Sequence, residues 1–272
     1  MLLELMQGGE LLTHLYDRTD TIPKSSYGGF TTDCLKFYIA NILLAFEFMH
    51  SKDILYRDLK PENILISNDG YIKLGDFGFA KLIPHKTPCG EEVTKTYTIV
   101  GSPEYMAPEM ISQVGYDQTV DYWCLGCLMF ELLFAGSLFA NIEGLALLTQ
   151  NNVTKATTES IACSFPEDFK ENHPAMFQLA MSFLVPDPSN RAGLKDMRGS
   201  IRSSAVFDAQ FWCDIEERKV QSVYIPTIEH QLDTSNFFDY DGEMNEEESS
   251  DHRHDADAAL EFDGNQQVFE FF

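Results

Sequence analysis

Apolar positions recur at helical spacing through Leu35, Ile39, Ile42, Leu43, Phe46 and Met49, with Thr31-Thr32-Asp33 directly ahead of them. A short polar side chain there can accept from an orphaned backbone N–H, so the pattern predicts a helix capped at residue 31, 32 or 33 and running to about residue 49. Upstream, Met1 to Met6 reads as a short apolar strand stopped by Gln7-Gly8-Gly9, and Glu10 to Leu15 returns to helical spacing. Residues 17–30 hold Pro23, Ser25, Ser26, Gly28 and Gly29 and read as a loop. Ile64–Ser67 and Tyr71–Leu74 flank Asn68-Asp69-Gly70, residues that tolerate the positive backbone angles of a tight reversal, so a β-hairpin is expected. Beyond a Gly-, Pro- and Thr-containing segment from Pro84 to Pro108, the chain up to Leu184 reads as helices separated by polar loops. Small sheet pieces come first and helices dominate afterwards.

The longest apolar run, Val120 to Ala135, is interrupted by Asp121 and Glu131 and ended by Gly136, too short and too charged to span a bilayer. With 272 residues, 44% of them hydrophobic and 12% aromatic, the chain can bury a sizeable core, which excludes disordered and fibrous classes. A net charge of −24 argues against a general nucleic-acid or anionic-membrane surface and favours basic partners. Residues 237–272 carry −11 of that charge, twelve acids against Arg253, and are expected to be extended. The six cysteines have no framework spacing and no signal peptide precedes them, so free thiols in a reducing, cytoplasmic setting with access to the nucleus are expected. Cys124 and Cys127 lie inside an apolar helix and read as core packing. His252 and His254 read as solvated, and the triplet Asn152-Val153-Thr154 as chance.

The chemistry concentrates around the hairpin. Arg57-Asp58-Leu59-Lys60-Pro61-Glu62-Asn63 precedes it and Asp76-Phe77-Gly78 follows it, so one reversal brings two acids and an amide together. Carboxylate and amide oxygens suit Mg²⁺, an ion that usually accompanies phosphate. Asp58 with Lys60 adds a candidate base and a compact positive charge, the requirements of phosphoryl transfer to a hydroxyl.

These residues match the protein-kinase pattern R-D-x-K-x-x-N, Asp76-Phe77-Gly78 matches its metal motif, and Ala107-Pro108-Glu109 matches the end of its activation segment, in the right order. The chain therefore resembles the protein kinases. The resemblance implies that Asp58 orients and deprotonates a substrate hydroxyl, Lys60 neutralises the moving phosphoryl group, Asn63 and Asp76 hold Mg²⁺, and Ser102 contacts Asp58 and Lys60. Lys60 and the stretch Lys95 to Tyr105 resemble the AGC group of Ser/Thr kinases, most of all the cyclic-nucleotide-dependent ones, although Tyr56 replaces the usual His. Asp121-x-Trp123-x-x-Gly126 is similar to the family's central helix, and Arg191 would pair with Glu109.

Several further roles follow from that resemblance. Thr98 would be the activation-loop phosphorylation site, with Arg57 and Lys81 as the cations holding the phosphate. Glu10, Glu62, Glu104 and Glu131 would receive substrate arginines, and Ile99, Pro103 and Met106 would line a pocket for the residue after the phosphoacceptor. The ATP site would keep Glu4, Met6, Glu10, Leu65, Gly75 and Asp76, with Phe237 from the tail. The implied fold is α+β: a mainly helical large lobe with a short hairpin region and an extended C-terminal tail, residues 1–222 forming the kinase domain and 223–272 the tail, ending in Phe269-Glu270-Phe271-Phe272. The small lobe, with its Gly-rich loop and strand Lys, is expected to be missing, leaving the chain alone a weak binder of ATP. A cyclic-nucleotide-binding regulatory subunit or fused domain is the expected partner beside basic protein substrates. The competing expectation is a non-catalytic lobe that binds basic partners through Glu10, Glu62 and Glu131.

Overall fold

In the computed structural model the described residues are 4–16, 22–83, 95–139, 156–193, 195 and 197–237. Helix α1 (Leu11–Tyr16) is followed by α2 (Thr32–His50), whose cap is Thr31: its side chain accepts from the Cys34 N–H at 3.4 Å. The anticipated stripe of α2 is buried in full, and Phe37, Tyr38 and Ala40 join it, so the helix lies within the core rather than on its surface.

Two antiparallel pairs follow. Strand β1 (Ile54–Leu55) pairs with β4 (Lys81–Leu82), and β2 (Ile64–Ile66) with β3 (Ile72–Leu74) in the register Ile64 to Leu74 and Ile66 to Ile72. Ser67 N–H donates to the Tyr71 carbonyl at 2.8 Å and Gly70 N–H to the Ser67 carbonyl at 2.9 Å, closing the expected hairpin. Gly70 takes φ +79°, and a Cβ there would lie 1.9 Å from the Tyr224 carbonyl, so both conformation and space require glycine.

The strand expected over Met1–Met6 is corrected at residues 4–6, since residues 1–3 lie outside the described residues. Residues 4–6 form none, and the backbone pairing falls further on: Gly8 N–H donates to Ile66 O and Ile66 N–H to Gly9 O, both at 2.9 Å, with a bridge from Glu10 to Leu65. A Cβ at Gly8 would meet Ile66 at 2.7 Å, so the pairing sits where the chain has no side chain to obstruct it.

After the short α3 (Pro108–Ile111) comes α4 (Thr119–Phe134), buried at every position except Thr119, Phe130 and Phe134. A helix apolar all round belongs at the centre, and α4 packs against α2 and against α7 (Pro174–Phe183), while α5 (Thr158–Cys163), α6 (Glu167–Asn172) and α8 (Ala209–Glu216) are the remaining α-helices among the described residues. Gly126 makes the close approach to α7 feasible, because a Cβ there would stand 2.6 Å from Leu184 Cγ. The loop ahead of α2 satisfies the last carbonyls of α4: Gly29 N–H donates to Leu133 O at 3.1 Å and Phe30 N–H to Leu132 O at 2.6 Å.

Cys34, Cys124, Cys127, Cys163 and Cys213 are free thiols. No helix among the described residues is long and apolar enough to cross a membrane. Cys89, the 152–154 triplet, His252, His254, the acidic residues from Asp239 and the terminal Phe269–Phe272 lie outside the described residues.

Candidate active site

Asp121, fully buried on α4, organises the loop that precedes the hairpin. Its Oδ1 accepts from Arg57 N–H at 2.8 Å, its Oδ2 from Tyr56 N–H at 2.9 Å, and His50 Nε2 lies 2.7 Å from the same Oδ2. Arg57 has φ +68°, a left-handed conformation that costs a non-glycine residue about 1–2 kcal/mol. Hydrogen bonds to a carboxylate are worth about 1.5–3 kcal/mol each, enough to hold the strained turn.

That turn delivers Asp58. The Asn63 amide nitrogen donates to the Asp58 carbonyl at 2.8 Å and to Asp58 Oδ2 at 2.7 Å; Ser102 Oγ donates to Asp58 Oδ1 at 3.1 Å. Lys60 Nζ stands 3.5 Å from Asp58 Oδ2 and donates to Ser102 Oγ at 3.2 Å. A buried carboxylate thus has both oxygens oriented, with one cation beside it. Ser102 reaches the loop because Gly101 takes φ +97° over it, where a Cβ would lie 2.4 Å from the Arg57 carbonyl. Gly101→Ala is expected to cost more than about 1 kcal/mol and to lower turnover with it, checked by melting temperature and peptide phosphorylation on the same preparation.

Asp76 follows through the hairpin. Gly75 N–H donates to the Asn63 carbonyl at 2.8 Å, extending the β2–β3 ladder by one pair, and Asp76 then turns with φ +39°, its Oδ1 accepting from Gly78 N–H at 2.9 Å. Tyr56, buried beneath, donates its hydroxyl to the Gly75 carbonyl and packs edge-on to Phe77. Burial, with Asp58, Asp76 and Asp121 near, pushes the Tyr56 phenol far up, so it remains a donor. Because Asn63 spends its nitrogen on two acceptors, its carbonyl oxygen is the atom left for a ligand. One amide oxygen and the exposed Asp76 carboxylate fit Mg²⁺, which takes its other ligands from phosphate and water. Among the described residues no cluster of three or more His, Cys, Asp or Glu could hold a metal by itself.

Thr98 is exposed and its carbonyl accepts from the Tyr116 hydroxyl, while Arg57 Nη1 donates to that hydroxyl at 2.9 Å and its Nε to Phe79 O at 2.7 Å. Lys81 Nζ donates to Thr96 Oγ1 at 2.8 Å, not to Thr98. Thr96 and Tyr116 also exchange backbone hydrogen bonds. Neither was singled out from sequence, since nothing in the spacing marks a partner twenty residues on. Ile99 is half-buried, Pro103 exposed and Met106 buried.

Of the four acids expected to meet arginine, Glu62 and Glu104 both lie near Glu131. Glu131 on α4 is buried and accepts from Tyr16 OH at 2.8 Å and from Tyr105 OH. Burial raises its pKa and the two phenols oppose the rise, with Glu62 and Glu104 adding repulsion. Glu62 Oε2 is buried without a hydrogen-bond partner. Glu10 is joined to Leu65 by a backbone bridge. Tyr16 and Tyr105 went unnoticed in sequence because their contact with Glu131 crosses 115 and 26 residues.

Around Gly9 the remaining residues gather. Asn236 Nδ2 donates to Gln7 O at 2.9 Å, and a Cβ on Gly9 would lie 2.0 Å from the Asn236 carbonyl, so Phe237 follows immediately beside this segment. Met6 is buried, Glu4 pairs with Lys73, and Leu65 packs 3.2 Å from the Cβ position of Gly75. At the base of the site Arg191 forms a two-armed pair with Glu109, Nη1–Oε1 2.6 Å and Nη2–Oε2 3.0 Å.

A model of the protein kinase domain matches residues 1–200. The chain is 37% identical over 249 residues to a cAMP-dependent protein kinase catalytic subunit of Dictyostelium discoideum, covering 91% of this chain and 34% of that protein. It is 37% identical over 243 residues to a cGMP-dependent protein kinase, isozyme 2, of Drosophila melanogaster, covering 88% and 23%. With the cAMP-dependent protein kinase catalytic subunit PRKX of Mus musculus it shares 36% over 245 residues, covering 88% and 60%. The chain thus spans less than two thirds of the length of each.

Proposed function

We infer, because the chain belongs to the protein kinase family, that the protein carrying it moves the γ-phosphate of Mg-ATP onto Ser or Thr in arginine-containing sequences. The observation that carries this reading is Asp58, whose two oxygens are aimed by Ser102 and Asn63 while Lys60 stands at 3.5 Å. The substrate oxygen would bond to the γ-phosphorus as the bond to the bridging oxygen of ADP breaks, and the hydroxyl proton would pass to Asp58. Lys60 would offset charge on the transferring group. Asn63 and Asp76 would hold Mg²⁺, whose part is to neutralise phosphate oxygens. The relatives' names support a cyclic-nucleotide-binding regulatory partner, as a subunit or a fused domain. Thr98 is proposed as a phosphorylation site, its phosphate facing Arg57 through the position now held by Tyr116 and facing Lys81 beside Thr96.

The arginine requirement rests on Glu62, Glu104 and Glu131, carboxylates that pair with no cation among the described residues. Glu62→Gln combined with Glu131→Gln is expected to reduce kcat/KM for a peptide with arginines before the acceptor by roughly 10²-fold, the loss of one or two desolvated charge pairs. A peptide with neutral residues at those positions should change by less than about threefold. Steady-state kinetics on the two peptides checks it, and an unchanged ratio between them excludes the arginine reading.

A further inference from the structure

Tyr16 ends α1 as a half-exposed residue, at 50%, although its hydroxyl donates to the buried Glu131 Oε1 at 2.8 Å. The other carboxylate oxygen accepts from Tyr105. Glu131 is therefore compensated by two neutral phenols, and among the described residues by no cation, in a place where Glu62 Oε2 is also buried and unpartnered. A phenol differs from a cation here. It orients a carboxylate and favours its ionised form while leaving the net negative charge of the pocket intact. Its exposed ring also offers a π-face to an incoming guanidinium, a contact worth about 0.5–2 kcal/mol.

We propose that Tyr16 is a specificity-determining residue of the arginine subsite: its hydroxyl fixes Glu131 Oε1, and its exposed ring face receives the substrate's guanidinium. The inference rests on the reading that Glu62, Glu104 and Glu131 bind a substrate arginine. Glu131 is faced by Tyr16 from α1, by Glu62 from the Pro61–Asn63 turn, by Glu104 and Tyr105 from the Pro103–Tyr105 turn, and by Cys127 on its own helix. Burial pushes the Cys127 thiol far up, and burial together with the nearby carboxylates does the same to both phenols, so these three remain neutral. Since the phenols hold the Glu131 pKa down against burial, removing one lets it rise, and the subsite then loses its charge as pH falls.

The test compares kcat/KM for an arginine peptide with that for the same peptide carrying citrulline, across pH, in the whole protein that carries this chain and in its Tyr16→Phe, Tyr16→Ala and Glu131→Gln variants. In Tyr16→Phe the arginine-to-citrulline ratio is expected to fall, and to fall by more at the acid end of the profile than at the alkaline end, because Glu131 then takes up its proton at higher pH than in wild type. In Tyr16→Ala the ratio should stay low across the range, because the ring is gone as well. The ratio is internal to each preparation, so partial loss of folded enzyme does not move it; if Tyr16→Ala does not fold, the pH profile of Tyr16→Phe decides alone. A wild-type ratio and profile in Tyr16→Phe overturn the proposal. If Glu131→Gln lowers the ratio in that case, only the role of Tyr16 is lost; if Glu131→Gln leaves it unchanged too, the arginine reading falls with it.

Discussion

Asp58→Asn is expected to lower kcat by about 10²–10⁴-fold, the range for losing a positioned general base, while shifting the melting temperature by only a few degrees. The size of the effect follows from the environment of this one carboxylate. Its Oδ1 accepts from Ser102 and its Oδ2 from Asn63, with Lys60 at 3.5 Å, so an isosteric amide fits the space but presents an NH₂ group where acceptors are required. An amide also cannot take the substrate's proton at neutral pH. Whichever way the new side chain turns, its nitrogen faces either the Asn63 amide or Ser102, so the loop keeps its backbone support from Asp121 and loses its chemistry. Single-turnover phosphorylation of an arginine peptide separates this from an effect on binding: the rate of the chemical step should fall while peptide affinity stays within about threefold. A chemical step within threefold of wild type would remove Asp58 from the mechanism and, with it, the central support for a kinase active site.

How much of this arrangement could be read from the chain depends on distance along it. The hairpin was legible because Asn68-Asp69-Gly70 supplies its turn chemistry within three residues, and Gly70 proves to be needed both for its φ and for the approach of Tyr224. Helix α2 announced itself through a cap and a stripe at period 3.6. For α4 the periodicity was uninformative, since a helix buried on all sides has no polar face to alternate with. Residues 4–6 show the opposite error: hydrophobicity marked them for a strand they do not form, and the backbone paired at Gly8–Glu10, where missing side chains let Ile66 on one side and Asn236 on the other come close.

The site divides along the same line. Local motifs located Asp58, Lys60, Asn63 and Asp76, yet the hydrogen bond from Ser102 to Asp58 spans 44 residues and depends on a left-handed Gly101, and only the family resemblance pointed to it. Tyr16, Tyr105, Thr96 and Tyr116 escaped because a hydroxyl donating to a distant carboxylate or carbonyl leaves no spacing signature. Acids could be found by charge, whereas the neutral donors that set their protonation could not.

The largest expected loss of stability lies beneath the site. Arg191→Met is expected to destabilise the fold by about 3–5 kcal/mol, because it leaves the Glu109 carboxylate buried without its partner. Arg191 is fully buried and Glu109 nearly so; besides the two-armed pair, the guanidinium donates to the carbonyls of Val185, Pro186 and Thr119 and lies 5.1 Å from the Trp123 ring centroid. One side chain thereby ties α3, the first turn of α4 and the segment after α7 together. Glu109→Leu in the same chain should restore part of the loss, since removing both charges abolishes the unpaired carboxylate, but not all of it, since three carbonyls still lack a donor at about 1 kcal/mol or more each. Urea unfolding of the wild type, both single variants and the double variant gives the coupling directly: an interaction energy of at least about 2 kcal/mol is expected. Because Glu109 lies in the first turn of α3, a few residues after Ser102 and Tyr105, Arg191→Met should also loosen the contacts those residues make with Asp58 and Glu131, and catalysis should fall at temperatures well below the melting point. Additive single-variant effects would mean that the pair contributes no more than its separate carbonyl contacts.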